Sequence, residues 1–586
     1  VETPLDQLYR IFDQVWVLDT ELKLGDGNPA VPYCLVAREI RSRVTIRKWW
    51  DELEGRPPFD TGPRTLVVTW FGLAEWEFFD ALGLPKWQRH LDLYAEYKNR
   101  FNCRATIVDQ KPNLKKEQKI KRNSLIGACV QFGIKTIGVA VKEEMRALAQ
   151  RGPGTSAEKQ ALFSYCETDV DATEQVFLAM LPEIDVPRAL LRGREMADMA
   201  SVGAAGLPID VSIYTKLVPD GGFDRITLDL ITRVDAQFGV FEGTTFRREL
   251  FERLLAKLRR PWPRYPDGQL ILTDTTFRDM CLRYPDFEAL RQLRNALSKM
   301  RLKALTVGRD GRNRYNPSPF ATKTGRNAPS SSKSVLGPST WLRGLIKPEE
   351  GQAVAMIDYV SEEFAIGAAL SGDEAMKAAY ESGDPYLEFA KLAGLVPPDA
   401  TKESHKPQRD ISKTCVLGVG FGMEEQTLSL RIGKHVLVAR SLLQQHREIF
   451  STFWAWSDNQ VWNAMLTGVA RTCFGWEYHV TPDVNPRSLR NFPLQAAAAE
   501  ILKLAVSLGV ENNVKIIAML HDAVWLEAAS GQIDSDVEKM CRFMAEASAI
   551  VLDGFVLRTE ATIVRYPDRY MDERGRPFWN LVMSLL

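Results

Sequence analysis

Disulfide and zinc chemistry find nothing to build on in these 586 residues. The eight cysteines, Cys34, Cys103, Cys129, Cys166, Cys281, Cys415, Cys473 and Cys541, form no CxxC pair and hold no metal-ligand spacing with the six histidines. That scatter suits reduced thiols in cytosol and argues against zinc. No run reaches eighteen apolar residues, and the opening VETPLDQLYR has neither the basic nor the apolar block of a secretion signal. The expectation is a soluble cytoplasmic chain with no membrane partner. Net charge is absent as well, since 75 Lys and Arg balance 75 Asp and Glu. Overall charge therefore announces no nucleic-acid partner, and any positive potential must be local, along a groove. Internal repeats and long low-complexity tracts are missing too. What is present is material for cores: 45% hydrophobic residues in a length that accommodates several domains.

The chain is organised around 353–383, AVAMIDYVSEEFAIGAALSGDEAMKAAYESG. Residues 353–357 suit a buried strand, which puts Asp358 at its end in the mouth of a cleft; from Ser361 the apolar spacing becomes helical. A lone acid there is ordinarily a helix cap. A second acid changes the odds. Two apolar strands, 516–520 and 523–527, flank a tight turn at His521-Asp522. Two carboxylates so placed are enough for Mg²⁺, which keeps waters and substrate phosphates as its other ligands, and a pair of ions can clamp both oxygens of a phosphoryl transfer. Between these acids, Arg409, Lys413, Leu417 and Phe421 recur every fourth residue, so one helical face carries two cations and then two apolar platforms. That face can grip a triphosphate and stack on a base.

Together these three stretches resemble the family A DNA polymerases. Asp358-Tyr359 to Glu363 looks like motif A (DYSQIEL), Arg409, Lys413, Phe421 and Gly422 match motif B (RxxxKxxxFxxxYG), and His521-Asp522 matches the HDE of motif C. Thr322-Lys323-Thr324-Gly325-Arg326 resembles TxTGR, and Asn491 and Gln495 match NxPxQG with Ala496 in place of the last Gly.

Upstream, residues 15–18 read as a strand ending on Asp19-Thr20-Glu21, where period-two alternation places both acids on one side; 32–36 and 65–70 read as further strands and 72–82 as a helix. Tyr165 precedes Asp169 by four residues on a helix, so phenol and carboxylate share a face. DxE followed by YxxxD resembles the DEDD superfamily of 3′-5′ exonucleases in its Tyr form. The middle acid of that set falls on Glu75, in a first helical turn, with Glu77, Asp80 and Asp92 as rivals.

The resemblance implies a multidomain α/β fold: an RNase H-like 3′-5′ exonuclease domain over 1–186, then a right-hand polymerase domain over 187–586, with thumb about 223–300, fingers about 375–470 and palm from the remainder. Helices are expected over 188–204, 223–240, 246–258 and 287–305, with Arg291, Arg294, Lys299, Arg301 and Lys303 of the thumb and the basic run 111–122 set against DNA phosphates. The implied activity is template-directed addition of dNTPs to a primer 3′ end with proofreading. Asp358, Tyr359 and Asp522 would hold two Mg²⁺, and Asp19, Glu21, Glu75 and Asp169 two more, with Mn²⁺ as a substitute and Tyr165 orienting the attacking water. Arg409, Lys413, Leu417, Phe421, Glu363 and Tyr386 would meet the nucleotide, Glu363 as the gate against a ribose 2′-hydroxyl. Arg326, Arg487, Asn491, Gln495 and His521 would meet primer-template DNA.

Several positions depart from the family. Leu417 replaces an aromatic, Phe421 a Tyr, Tyr386 a His, and Ala523 the last acid of HDE, for which Glu527 is a candidate substitute. The layout expected is a monomer without a 5′-nuclease domain ahead of Asp19, with DYVSEEF closer to phage than to bacterial versions and replisome accessory proteins as further partners. The alternative is a 3′-5′ exonuclease or DNA-binding protein with a degenerate polymerase domain.

Overall fold

Alternating β-branched and aromatic residues make Gln14–Lys23 the central strand, β1, of an N-terminal sheet. The computed structural model describes residues 2–109, 120–300, 304–315, 317–330, 332–420 and 422–586, apart from the side chain of Lys299. With β2 (Val31–Glu39), β3 (Thr45–Trp49), β4 (Thr65–Thr69) and β5 (Arg89–Asp92) the sheet runs β3-β2-β1-β4-β5. β1 is antiparallel to β2 and parallel to β4. Both faces of β1 are covered: Val15 and Val17 join one core, which holds Leu162, Cys166 and Val170 of the helix Ser156–Met180, while Trp16 and Leu18 join another with Leu73 and Trp76 of the helix Leu73–Ala81. Burial on both sides explains the unbroken apolar run. β1 continues to Lys23, so Asp19 and Glu21 lie within the strand and not at its end as expected. The parallel pairing with β4 reaches only Val17↔Val68, which leaves that edge of β1 open beside the two acids.

The helix Val186–Ala205 begins where the sequence suggests a domain boundary, capped by the Asp185 side chain with Pro187 in its first turn. It packs on β5 and the helix Leu73–Ala81, and also on the long helix Pro486–Glu511. Gly193 makes the first contact feasible, because a Cβ there would stand 2.0 Å from the His90 carbonyl oxygen. Buried ion pairs fix the rest. The Arg192 guanidinium grips both oxygens of Glu96 at 2.6 and 2.8 Å, and Lys503 Nζ stands 3.0 Å from Glu195.

Farther along, the helices Gly222–Phe238, Arg248–Leu258, Asp274–Arg283 and Glu288–Lys299 enclose a separate core of Phe251, Trp262, Phe277 and Phe287. The expected helix over 287–305 closes at Lys299, and Asp274–Arg283 was not anticipated. Two basic residues assigned to DNA phosphates are engaged inside this unit. Arg291 pairs with Glu288 at 2.7 Å, and the Arg294 guanidinium lies 4.3 and 4.5 Å from the Phe246 and Phe277 rings while donating to the Leu272 carbonyl. Arg301 and Lys303 lie outside the described residues, as do Lys111, Lys115, Lys116 and Lys119; Arg122 is tied to the Phe101 and Arg104 carbonyls.

The second large sheet is antiparallel, ordered Ile516–Leu520, Ala523–Ala529, Gln352–Tyr359, Thr559–Arg565. Pro486–Glu511 and the helix Ile533–Val551 pack on it. Among the described residues Pro486–Glu511 is the one helix long and apolar enough to cross a membrane, and 72% of its apolar window is buried inside the protein.

His90 sits at the joint between β5 and Val186–Ala205. Its Nδ1–H donates to the Gly193 carbonyl at 3.0 Å and the Thr69 hydroxyl donates to Nε2 at 2.9 Å, an arrangement of the neutral ring. Burial pushes the imidazole from 6.5 down to about 4. The unfolded chain therefore takes up a proton that the folded ring refuses, so this contribution to stability is whole above pH 6.5 and shrinks as pH falls toward 4. His90→Gln should remove a slope of up to about 1.4 kcal/mol per pH unit. Measured by calorimetry from pH 7 to pH 5, the variant's melting temperature should gain on wild type as pH falls; a constant difference would contradict the neutral buried ring.

Candidate functional site

The ladder places Asp358 opposite Ala523, so the turn residue Asp522 projects beside the Asp358 carboxylate at the sheet's edge. Both turns that deliver these acids use backbone rare for residues with a Cβ: His521 has φ +59° and Ser361, just ahead of the helix Glu362–Ser371, has φ +52°. Asp358 Oδ1 is buried with no hydrogen-bond partner. Burial, and then the Asp522 carboxylate beside it, push Asp358 up to about 7. Two acids in this state are short of positive charge.

The opposite wall supplies some. On the helix Lys406–Gly420, Arg409, Lys413 and Leu417 share one face and line a cleft of about 730 Å³ with Asp358, Asp522, Glu363, Arg326, His521 and Tyr386. The Tyr386 ring lies near two cations, 5.5 Å from the Arg409 guanidinium and 5.4 Å from Lys413 Nζ. Arg409 is held by Asp384. Arg326 faces Glu362 and Glu363 at 3.6 and 3.8 Å, and burial pushes both acids up. Asn491 and Gln495 reach an adjoining apolar pocket with Glu363 and Leu417. Phe421 lies outside the described residues.

One expectation needs correction, and two other side chains are engaged outside the cleft. The Tyr359 hydroxyl donates to the Met544 carbonyl at 2.8 Å inside the core, so its side chain is unavailable to a metal and only its main chain borders the cleft. Arg487, in the first turn of Pro486–Glu511, is ion-paired with Glu424 and does not line the cleft. Glu527 does not replace the acid missing at Ala523. It stands across from Val354 and is buried between Arg312, which donates at 2.8 and 3.1 Å, and Lys515. Two acids that sequence reasoning passed over are in place instead. Glu560 is the ladder partner of Asp358 on the far strand, and Glu362 is fully buried at the cleft wall. The strand Thr559–Arg565 was not anticipated, and its register against Asp358 is a tertiary fact.

A second group of acids forms in the N-terminal unit. Asp19 and Glu21 project from one face of β1 toward the helix Ser156–Met180, which presents Tyr165 and Asp169 one turn apart. Glu75, in the first turn of Leu73–Ala81, is 3% exposed and feels the charges of Asp19 and Asp169. Its rivals are employed elsewhere: Asp92 accepts from the Gly72 and Ala95 amides, Asp80 pairs with Lys86, and Glu77 lines a different cavity. Burial and repulsion from neighbouring carboxylates raise three of these acids, Asp19 to about 8 and Glu21 and Glu75 well above the carboxylate range. Buried oxygens without partners mark both groups, Asp358 Oδ1 in the first and Asp19 Oδ2, Glu75 Oε2 and Asp169 Oδ1 in the second. Such oxygens fit hard divalent cations by donor type. As they stand, no three His, Cys, Asp or Glu side chains among the described residues converge to ligate one ion.

An antiparallel sheet brings two acids into one cleft with a basic helix, beside an α/β unit with its own acidic pocket. Residues 327–563, which hold that sheet's acids and the basic helix, match the profile of DNA polymerase family A. The thermostable DNA polymerase I of Thermus thermophilus is 28% identical over 364 residues, 57% of this chain and 43% of the relative, so the chain spans less than half of that protein. DNA polymerase I of Aquifex aeolicus is 24% identical over 453 residues, 70% of this chain and 76% of the relative. The fold is similar to the POL domain of Pol1 from M. smegmatis, solved with DNA primer-template and dNTP, at a TM-score of 0.67 and 15% identity over 94% of this chain and 95% of that one.

The Glu527 assignment is open to test. Glu527→Gln leaves Arg312 buried with a weaker partner and should lower unfolding stability by on the order of 3 kcal/mol, read from the urea midpoint. An unchanged midpoint would mean that the pair is not a buried structural tie.

Proposed function

We propose that the chain is a template-directed DNA polymerase, adding deoxynucleotides to a primer 3′ end, with a 3′-5′ proofreading exonuclease in its N-terminal unit. The observation that carries this reading is one cleft in which Asp358 and Asp522 face Arg409 and Lys413. Mg²⁺ or Mn²⁺, held at Asp358, Asp522 and the Tyr359 main chain and at Asp19, Glu21, Glu75 and Asp169, would neutralise phosphate charge and activate the attacking oxygen. Arg409 and Lys413 offset charge on the leaving pyrophosphate, and Leu417 and Tyr386 provide apolar surface for the nucleotide. Arg326, with Asn491 and Gln495, meets the terminal base pair through groove acceptors common to every correct pair. Tyr165 orients the water that attacks the last phosphodiester. The enzyme works as a cytoplasmic monomer on primer-template DNA and dNTPs, with replisome accessory proteins as further partners.

Each site should fail alone. Asp358→Asn or Asp522→Asn should cut primer extension about a thousandfold or more while degradation of single-stranded DNA without dNTPs persists, and Asp169→Asn should do the reverse. Loss of both activities from a single palm substitution in a chain with native circular dichroism would contradict two independent centres.

Glu363 stands where a 2′-hydroxyl would enter. Glu363→Ala should raise ribonucleotide incorporation relative to deoxynucleotide on the order of tenfold, read by single-nucleotide extension kinetics. An unchanged ratio would remove Glu363 from sugar selection.

A further inference from the structure

We infer that Arg343 and Arg574, clamped on Asp572, form a binding site for a backbone phosphate of the growing DNA strand, close behind its 3′ end. The inference rests on the polymerase reading of the cleft.

The segment after the last strand of the antiparallel sheet returns across the face that carries Asp358. Met356 and Asp358 stand two residues apart on one strand, so their side chains share a face, and Trp525 is the ladder partner of Met356. Tyr570 covers this pair: its hydroxyl is 3.3 Å from Met356 Sδ, and its ring centre is 4.6 Å from that of Trp525. Two residues on, Asp572 is 7% exposed and accepts from two guanidiniums, from Arg343 at 2.6 Å and from two nitrogens of Arg574 at 2.7 and 2.9 Å. Gly575 permits this close approach, because a Cβ there would stand 2.5 Å from the Trp341 amide nitrogen.

One carboxylate cannot neutralise two guanidiniums. The arrangement repeats next door, where Asp210 accepts from Arg569 at 2.9 Å and stands 3.8 Å from Lys347, while Arg569 also donates to the Gly344 carbonyl beside Arg343. Two acids among these four cations leave two positive charges on one edge of the sheet. Glu573 is already paired with Arg576 at 2.6 Å. The two arginines on Asp572 differ in reach. Arg343 is 11% exposed and its buried Nε has no partner, whereas Arg574 is 72% exposed and engages Asp572 through Nε and Nη2, which leaves Nη1 for another acceptor.

The charges of Arg326, Arg343 and Arg574 reach His521, in the turn beside Asp522, whereas Arg409 and Lys413 stand near Tyr386 on the other wall. In-line phosphoryl transfer needs the leaving pyrophosphate and the attacking 3′ oxygen on opposite sides of the phosphorus. With Arg409 and Lys413 on the pyrophosphate, the second set of cations is left for the strand that supplies the 3′ oxygen. Its ligand chemistry is a phosphodiester, bound through charge-assisted hydrogen bonds that position the strand without reading its sequence.

The test is a charge cycle between the full chain and its DNA. Arg574→Gln leaves Asp572 paired with Arg343, so the fold is retained, as circular dichroism checks. With primer-template titrated by fluorescence anisotropy over a series of KCl concentrations, the slope of log Kd against log salt should fall by about 1 in the variant, the mark of one lost phosphate contact. Replacing the primer's last linkages one at a time by uncharged methylphosphonates should weaken binding by wild type at one position and leave Arg574→Gln indifferent there. An unchanged slope, or coupling to template linkages only or to none, overturns the inference and leaves the polymerase reading standing. Failure of the wild-type chain to bind primer-template overturns both.

Discussion

Repulsion between two carboxylates, held side by side where water is scarce, is the constraint on which the cleft depends. Asp358, on a strand, and Asp522, in a hairpin turn, lie more than 160 positions apart in the chain, and their approach follows from a ladder that sets Asp358 against Ala523. Left alone the pair would separate or keep a proton, as the elevation of Asp358 toward 7 records. Sheet register, the left-handed turn at His521 and burial hold them together regardless. Such an arrangement has positive charge as its natural complement, and the cleft wall at Arg409 and Lys413 faces it. Glu560 and Glu362 add acid to the same wall without any place in the motif pattern.

The same logic of buried charge ties the two halves of the molecule together. Val186–Ala205 carries Arg192 and Glu195, which engage Glu96 of the N-terminal unit and Lys503 of Pro486–Glu511. Lys503 also lies 3.4 Å from the centre of the Phe320 ring. Asn102 donates to the Lys323 and Glu477 carbonyls, so the loop bearing Arg326 is anchored to the N-terminal unit as well. Truncating any of these ions would leave a buried partner unpaired, which makes the joint costly to open.

Much of this was legible beforehand because the signals are local. The run into Asp358, the hairpin around His521-Asp522 and the fourfold recurrence from Arg409 each depend on neighbours in the chain, and the structure places these residues where periodicity put them. Glu75 could be named but not separated from Glu77, Asp80 and Asp92, since the choice turns on which acid the helix start points at Asp19. What escaped was long-range. Glu560 depends on strand register, and the engagement of Arg291 and Arg294 within their own bundle on aromatic packing that no spacing reveals. Glu527 shows the opposite error, an acid near a motif whose partners, Arg312 and Lys515, lie away from the chemistry.

The most direct test of the paired-acid account is a crystal of the chain with primer-template DNA, a non-hydrolysable dNTP and Mn²⁺, examined for anomalous scattering. The account predicts two manganese peaks bridged by the carboxylates of Asp358 and Asp522, with the triphosphate between them and Arg409 and Lys413. Peaks elsewhere, or carboxylates that share neither ion, would contradict it.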